Sequence, residues 1–271
     1  MNEAIGWVDA VLLGILQGVT EFLPISSSGP LVLGQAILGF AKPQLLFDIL
    51  VHMGTLVAVL AVYGKDAWRI VKAWLLSLIG KNEDRASLRT AWLIIFASVP
   101  AGMVGIFFDD FIESLFASPR MTSLGLIATG TLLFFSKFSE TGGKSEAEIS
   151  WLDALIIGLF QSLAIIPGIS RSGSTITSAL FRGIDREMAA RFSFLLSIPA
   201  IGGAFVLKAK HLADASPSDM IPLIIGTVAA ALAGVIALRW LLRHVQRGYF
   251  RGFAYYCWAL GTLGIVGTFI F

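Results

Sequence analysis

Cysteine, charge and polar linkers are scarce in this chain, and each scarcity excludes something. A single cysteine, Cys257, in 271 residues rules out an internal disulfide, and its apolar surroundings make it a packing residue. Charged residues make up only 14% of the chain, well short of an ordinary soluble domain. No polar stretch is long enough to separate soluble domains. Met1 to Asp9 holds no Lys or Arg, so no cleaved signal peptide is expected. What remains is 56% hydrophobic, with a mean hydropathy of +0.81. Spanning a bilayer takes about 20 mostly apolar residues. Stretches at 45–63, 90–108, 121–137, 189–208, 220–242 and 252–271 meet that requirement.

The chain also contains one stretch twice. Trp7-Val-Asp-Ala-Val-Leu-Leu-Gly-Ile-Leu-Gln17 returns as Trp151-Leu-Asp-Ala-Leu-Ile-Ile-Gly-Leu-Phe-Gln161, and in the same register Ser26, Ser28 and Gly29 fall on Ser170, Ser172 and Gly173. Two related halves follow, about 1–144 and 145–271, forming one membrane domain. The repeated segments, about 4–40 and 151–180, are broken at Leu23-Pro24-Ile-Ser-Ser-Ser-Gly29 and Pro167-Gly-Ile-Ser-Arg-Ser-Gly173. Irregular backbone at membrane depth survives only where protein or a water-filled cavity satisfies it, so each reads as a re-entrant helical hairpin. The expected fold is an all-α polytopic membrane protein: six transmembrane helices, two opposed re-entrant hairpins and an inverted-topology repeat.

Charge tests that topology. Three spans between the hairpins place them on opposite faces. One face then collects Lys65, Arg69, Lys72, Lys81, Arg85, Arg89, Lys137, Lys144, Arg182, Arg186, Arg191, Arg239, Arg243, Arg247 and Arg251. The other holds only Lys42, Arg120, Lys208 and Lys210, and Arg171 falls inside the membrane. The rule that cytoplasmic loops are basic makes the first face cytoplasmic and both termini external. Trp68 to Leu76 reads as an amphipathic surface helix. Asp109, Asp110 and Glu113 read as a solvated external turn rather than a metal site. Asp9 and Asp153, near helix starts, suit the helix dipole.

Ionisable residues within membrane segments are functional hypotheses by default. Glu21 lies four residues after Gln17, on the same helix face, and Ser26, Ser27, Ser28 and Gly29 follow. In the second half Ser170, Arg171, Ser172, Gly173 and Thr175 cluster likewise. If the two breaks meet, a carboxylate, a guanidinium, hydroxyls and helix N-termini converge on one point, which is the composition of an anion site. Plainer readings compete: serines cap helices wherever they occur, and Arg171 could serve only as an ion-pair partner for Glu21. His52 lies mid-span with Asp48 on the same face, a second pair to watch, whereas His211 and His244 fall in loops. A lipid or anion transporter with inverted halves is the alternative function.

Gln17-Gly-Val-Thr-Glu21-Phe-Leu-Pro-Ile-Ser-Ser-Ser-Gly29 and Pro167-Gly-Ile-Ser-Arg-Ser-Gly-Ser-Thr175 closely resemble the two signature motifs of the undecaprenyl-diphosphate phosphatase family, the bacitracin-resistance proteins. The resemblance runs the whole length. It implies hydrolysis of undecaprenyl diphosphate to undecaprenyl phosphate and phosphate, which recycles the cell-wall carrier lipid. It also implies a divalent cation, Mg²⁺ or Ca²⁺, and a bacterial plasma membrane location with the site opening externally. Glu21, Ser27 and Arg171 match the residues implied in catalysis. Ser26, Ser28, Gly29, Ser170, Ser172, Gly173 and Thr175 would cradle the diphosphate, and Glu21 with Gln17 would hold the cation. The partner is an isoprenyl diphosphate lipid; no nucleic acid is expected, and a homodimer is left open. Many relatives carry His where this chain has Pro30, so either that His is dispensable or a residue such as His52 or Glu21 takes over its acid–base role.

Overall fold

Helices supply the regular structure of the computed structural model, which describes residues 5–40, 44–81, 84–116, 118–136, 143–208, 220–246 and 251–270. Lys42, Lys137, Lys210, His211 and Arg247 lie outside the described residues, as do the side chains of Glu113 and Arg251. The first half forms α1 (Trp7–Phe22), α2 (Ser28–Ile37), α3 (Leu45–Leu78), α4 (Arg85–Phe107), α5 (Asp109–Phe116) and α6 (Pro119–Phe135). The second forms α7 (Trp151–Leu163), α8 (Arg171–Phe181), α9 (Arg186–Lys208), α10 (Met220–Gln246) and α11 (Arg251–Ile270). Four of these, α3, α4, α9 and α10, are long and apolar enough to cross a membrane. The polytopic, all-helical expectation holds. The stretches 121–137 and 252–271 correspond to α6 and α11, which pack on each other.

The repeat is visible as helix–break–helix twice, α1–α2 and α7–α8, with equivalent breaks. The halves do not sit side by side. Each is threaded through the other: α1 packs on α10, and its counterpart α7 packs on α4. Small residues permit this, as they do between membrane helices generally. A Cβ added to Gly14 would lie 2.3 Å from the Gly226 carbonyl oxygen, and one on Gly158 would lie 2.3 Å from that of Ala97. The breaks are gripped in the same crossed way. Thr129 of α6 donates to the Gly168 carbonyl (3.0 Å) and accepts from the Ser170 amide (3.0 Å). Cys257 of α11 lies with its sulfur 3.7 Å from the Pro24 carbonyl, in the packing role expected of it.

Three expectations change. His244, read as a loop residue, lies in the last turn of α10. Trp68 to Leu76 is not a separate surface helix: α3 runs unbroken for 34 residues, about 51 Å. Gly64 alone does not stop it, and the extension is held where Asp66 binds Arg191 at 2.9 Å and where Ile70 and Ala73 bury. The acidic turn at Asp109 is the start of the short helix α5, with Asp109 3.4 Å from Lys208.

Basic residues from distant parts of the chain gather at one end of the bundle. Arg191 reaches Glu146 (3.4 Å) as well as Asp66, and Arg69 approaches Glu146 (3.8 Å). Thr90 also donates to Glu146 (2.8 Å), and Arg89 donates to the Ile149 carbonyl. Nearby, buried Asp153 is clamped by Arg182 (2.7 Å) and Lys144 (3.1 Å) and forms a capping box with Ser150 at the start of α7. Its role is therefore larger than dipole stabilisation, because it fixes the entry of the second broken pair.

Candidate active site

Glu21 ends α1 with its carboxylate buried, and four side chains converge on it. Gln17, one turn earlier, donates its amide to Oε2 at 2.9 Å. Ser27 donates its hydroxyl to the same oxygen at 2.7 Å. Arg171, from the other half, donates Nη2 to Oε1 at 2.8 Å. His52 of α3 brings Nε2 to 3.6 Å from Oε2. The floor beneath is apolar: Phe22 meets Phe194 edge-on (5.8 Å between centroids), and Phe194 stacks on Tyr63 (6.3 Å).

Local sequence explains who reaches the carboxylate. In the second half Ser170 caps α8, its hydroxyl accepting from the Gly173 amide at 3.1 Å, and Arg171 is the first helical residue. In the first half the equivalent serine, Ser26, sits at φ 62, and Ser27 takes the cap position without capping. That turn frees the Ser27 hydroxyl for Glu21. Ser27 and Arg171 occupy the same register position of the repeat, so its two copies deliver a hydroxyl and a guanidinium to one carboxylate.

The two breaks meet. Ser172 donates to the Leu23 carbonyl (3.3 Å), and a Cβ on Gly173 would lie 3.3 Å from Pro24 Cβ. The expected cradle divides, however. Ser26 and Ser28 pair with each other (3.2 Å), as do Ser170 and Ser172 (3.2 Å). Thr175 turns away, donating to the Arg171 carbonyl (2.8 Å) and bonding Ser193 (2.5 Å). Ser170, Ser172, Gly173 and Thr175 thus hold the second break in shape, and Gly29 lies at the start of α2 in ordinary contact with Thr122. Of the second pair, His52 reaches the site. Asp48 does not: its carboxylate accepts from Gln35 (2.5 Å), and only its backbone carbonyl meets His52, at Nδ1 (2.6 Å). Gln35, Thr129 and Ser193 are supports that nothing in the sequence distinguished from other polar residues on apolar helices.

Left-handed backbone at a serine costs about 1 kcal/mol or more, so strain is stored beside Glu21. Ser26→Gly should relieve it, raising the melting temperature while leaving the site assembled. Ser26→Val, β-branched at the same φ, should lower both stability and activity. Thermal unfolding in detergent beside an activity assay separates the two.

Two buried polar atoms at this site have no partner, Arg171 Nη1 and Gln17 Oε1. An orphaned guanidinium N–H suits an incoming oxyanion. An orphaned amide oxygen beside a carboxylate suits a hard cation that keeps water and takes phosphate oxygens. The described residues contain no group of three or more His, Cys, Asp and Glu that could hold a metal by themselves.

Fold and site together define an all-helical polytopic membrane protein in which a carboxylate, a hydroxyl and a guanidinium meet at one buried point. Sequence comparison makes the class specific: the chain belongs to the family described as bacitracin resistance protein BacA, whose profile matches residues 10–263. It is 42% identical to a protein named undecaprenyl-diphosphatase from Desulfatibacillum aliphaticivorans, over 97% of this chain and 99% of that one. Proteins of the same name from Desulforapulum autotrophicum (43% identical, 96% and 98% covered) and Methanobrevibacter smithii (39%, 96% and 97%) are also similar.

Proposed function

We propose that this protein hydrolyses undecaprenyl diphosphate to undecaprenyl phosphate and inorganic phosphate, recycling a cell-wall carrier lipid and conferring bacitracin resistance. The observation that carries the reading is the convergence of Ser27, Arg171, His52 and Gln17 on buried Glu21, with one Arg171 N–H still unpartnered. In this reading Arg171 binds non-bridging oxygens of the terminal phosphate through Nη1. The Ser27 hydroxyl, already hydrogen-bonded to Glu21, attacks the terminal phosphorus as its proton passes to Glu21. Undecaprenyl phosphate leaves with the bridging oxygen, and water then releases phosphate from Ser27. Most of the rate comes from positioning and charge, as is usual for phosphoryl transfer. Glu21 and Gln17 Oε1 are the groups that would hold Mg²⁺ or Ca²⁺, which would offset phosphate charge.

The membrane arrangement that goes with this has α3, α4, α6, α9, α10 and α11 as six spans and α1–α2 and α7–α8 as opposed re-entrant hairpins. The Arg69–Glu146–Arg191 end would face the cytoplasm, with the termini and the site opening outside. A carrier would need the site to open toward both faces, and the Phe22–Phe194–Tyr63 stack below Glu21 opposes that.

Purified protein in detergent should release phosphate from undecaprenyl diphosphate, and EDTA should suppress the release until Mg²⁺ or Ca²⁺ is restored. Full activity in EDTA would remove the cation from the mechanism. No release from well-folded protein would make lipid translocation the leading reading.

A further inference from the structure

Between the first break and the α10–α11 corner lies a groove that the phosphatase reading leaves unused. It measures about 490 Å³ and lies where the end of α10 meets the start of α11, lined by Leu23, Ile25, Trp240, His244, Phe253 and Tyr256. A cavity of that size takes one lipid-like chain. Its depth follows from helix register. Gly14 meets Gly226 and Gly18 meets Ala230, so Trp240 lies about 15 Å further along α10 than the level of Gly18. On α3, Gly54 meets Ala230 and Ala58 meets Gly234, a register that carries Asp66 level with Leu242. The groove therefore sits at the end where the basic residues gather.

Two cations stand beside it on α10, each one residue before a lining side chain: Arg239 before Trp240 and Arg243 before His244. Arg182 and Arg191 at this end of the bundle bind carboxylates at close range. Arg239 and Arg243, one turn apart on α10 and exposed, have no ion-pair partner among the described residues. His244 stacks on Trp240 with ring centroids 3.7 Å apart and places Nδ1 2.9 Å from the Trp240 carbonyl. Nε2 has no partner among the described residues. An apolar groove with aromatic walls, His244 in its lining and free cations on the adjoining face of α10 is complementary to a phosphate headgroup and its chain at a membrane surface.

We infer that this groove binds an anionic glycerophospholipid of the cytoplasmic leaflet, with its chain between α10 and α11 and its phosphate on Arg239, Arg243 and His244. The tail of a substrate held at Glu21 is the less suitable occupant, because the first break stands between. Leu23 and Pro24 of that break are held in place by their carbonyls on Ser172 and Cys257. The inference rests on the membrane orientation proposed above and not on the phosphatase chemistry.

Brominated lipids quench tryptophan on contact, and Trp240 lines the groove. The full chain is reconstituted in phosphatidylcholine vesicles carrying either brominated phosphatidylglycerol or brominated phosphatidylcholine, and the Trp240 signal is taken as the difference from Trp240→Phe. Phosphatidylglycerol should quench Trp240 more strongly. That preference should fall roughly fivefold for each arginine removed in Arg239→Gln and Arg243→Gln. Gly252, also on the groove, has open space where a Cβ would go, so Gly252→Leu should fill it and weaken quenching by both lipids. Equal quenching by the two lipids in the wild type overturns the inference. So does a preference that survives loss of both arginines. Phosphate release from undecaprenyl diphosphate by the same vesicles is the independent readout: it reports folding of the variants, and its failure would count against the phosphatase alone.

Discussion

Replacing Arg171 with alanine should lower phosphate release from undecaprenyl diphosphate by about three to five orders of magnitude, the range for an arginine that stabilises a transferring phosphoryl group. Glu21→Gln should cost about 10²–10⁴-fold, as loss of a proton acceptor does. The competing explanation is that Glu21 and Arg171 form only a buried ion pair holding the halves together. The double variant separates the two. Removing one member of a buried pair strands the other charge and costs about 3–5 kcal/mol, whereas removing both restores much of that. A structural pair therefore predicts that Arg171→Ala with Glu21→Gln recovers thermal stability and activity together. A catalytic pair predicts recovered stability with activity no better than the worse single variant, because residues acting as a unit are non-additive. Arg171→Lys should remain far below wild type, since a point charge cannot serve Glu21 and a phosphate with separate nitrogens as Nη2 and Nη1 can.

How far the sequence carries this site depends on the residue. Glu21 and Arg171 stand out because a charge in apolar sequence needs a reason. The duplicated register by itself locates both breaks, while Ser27 is singled out only by the family resemblance. The serines around them are not separable by sequence, because the same hydroxyl serves as a cap in Ser170 and faces a carboxylate in Ser27. Only backbone conformation, φ 62 at Ser26, distinguishes them. His52 and Asp48 share a helix face at a spacing of four, so sequence cannot rank them. Gln35, arriving from α2, takes the Asp48 carboxylate and leaves His52 for Glu21. The crossing of the halves is illegible for another reason. Periodicity says which face of a helix is apolar but not which distant helix covers it, and here that is decided by backbone approach at Gly14 and Gly158.

Substituting Gly168 should damage the fold more than changing any other residue of the second break. It combines two constraints that three alanine variants can separate. Gly39 is left-handed (φ 87) with nothing within 4 Å of where a Cβ would sit, so Gly39→Ala carries only the conformational cost, about 1–2 kcal/mol. At Gly125 no left-handed backbone is required, but a Cβ would lie 2.2 Å from the Pro167 carbonyl, so Gly125→Ala carries only the collision, about 1–3 kcal/mol if α6 can shift. Gly168 is left-handed (φ 84), and its Cβ would lie 2.0 Å from the Thr122 carbonyl, so both costs fall on one residue, about 2–5 kcal/mol. The collision would also push α6 away from the break and stretch the Thr129 bonds to Gly168 and Ser170 that set the start of α8 and hence the place of Arg171. The expected order of melting temperature in detergent is Gly39→Ala, then Gly125→Ala, then Gly168→Ala, with Gly168→Ala failing to yield monodisperse protein at ordinary temperature. If Gly168→Ala melted with Gly39→Ala instead, the close approach of α6 to the second break would not be a feature of the folded protein, and the crossed grip of one half on the other would lose its main support.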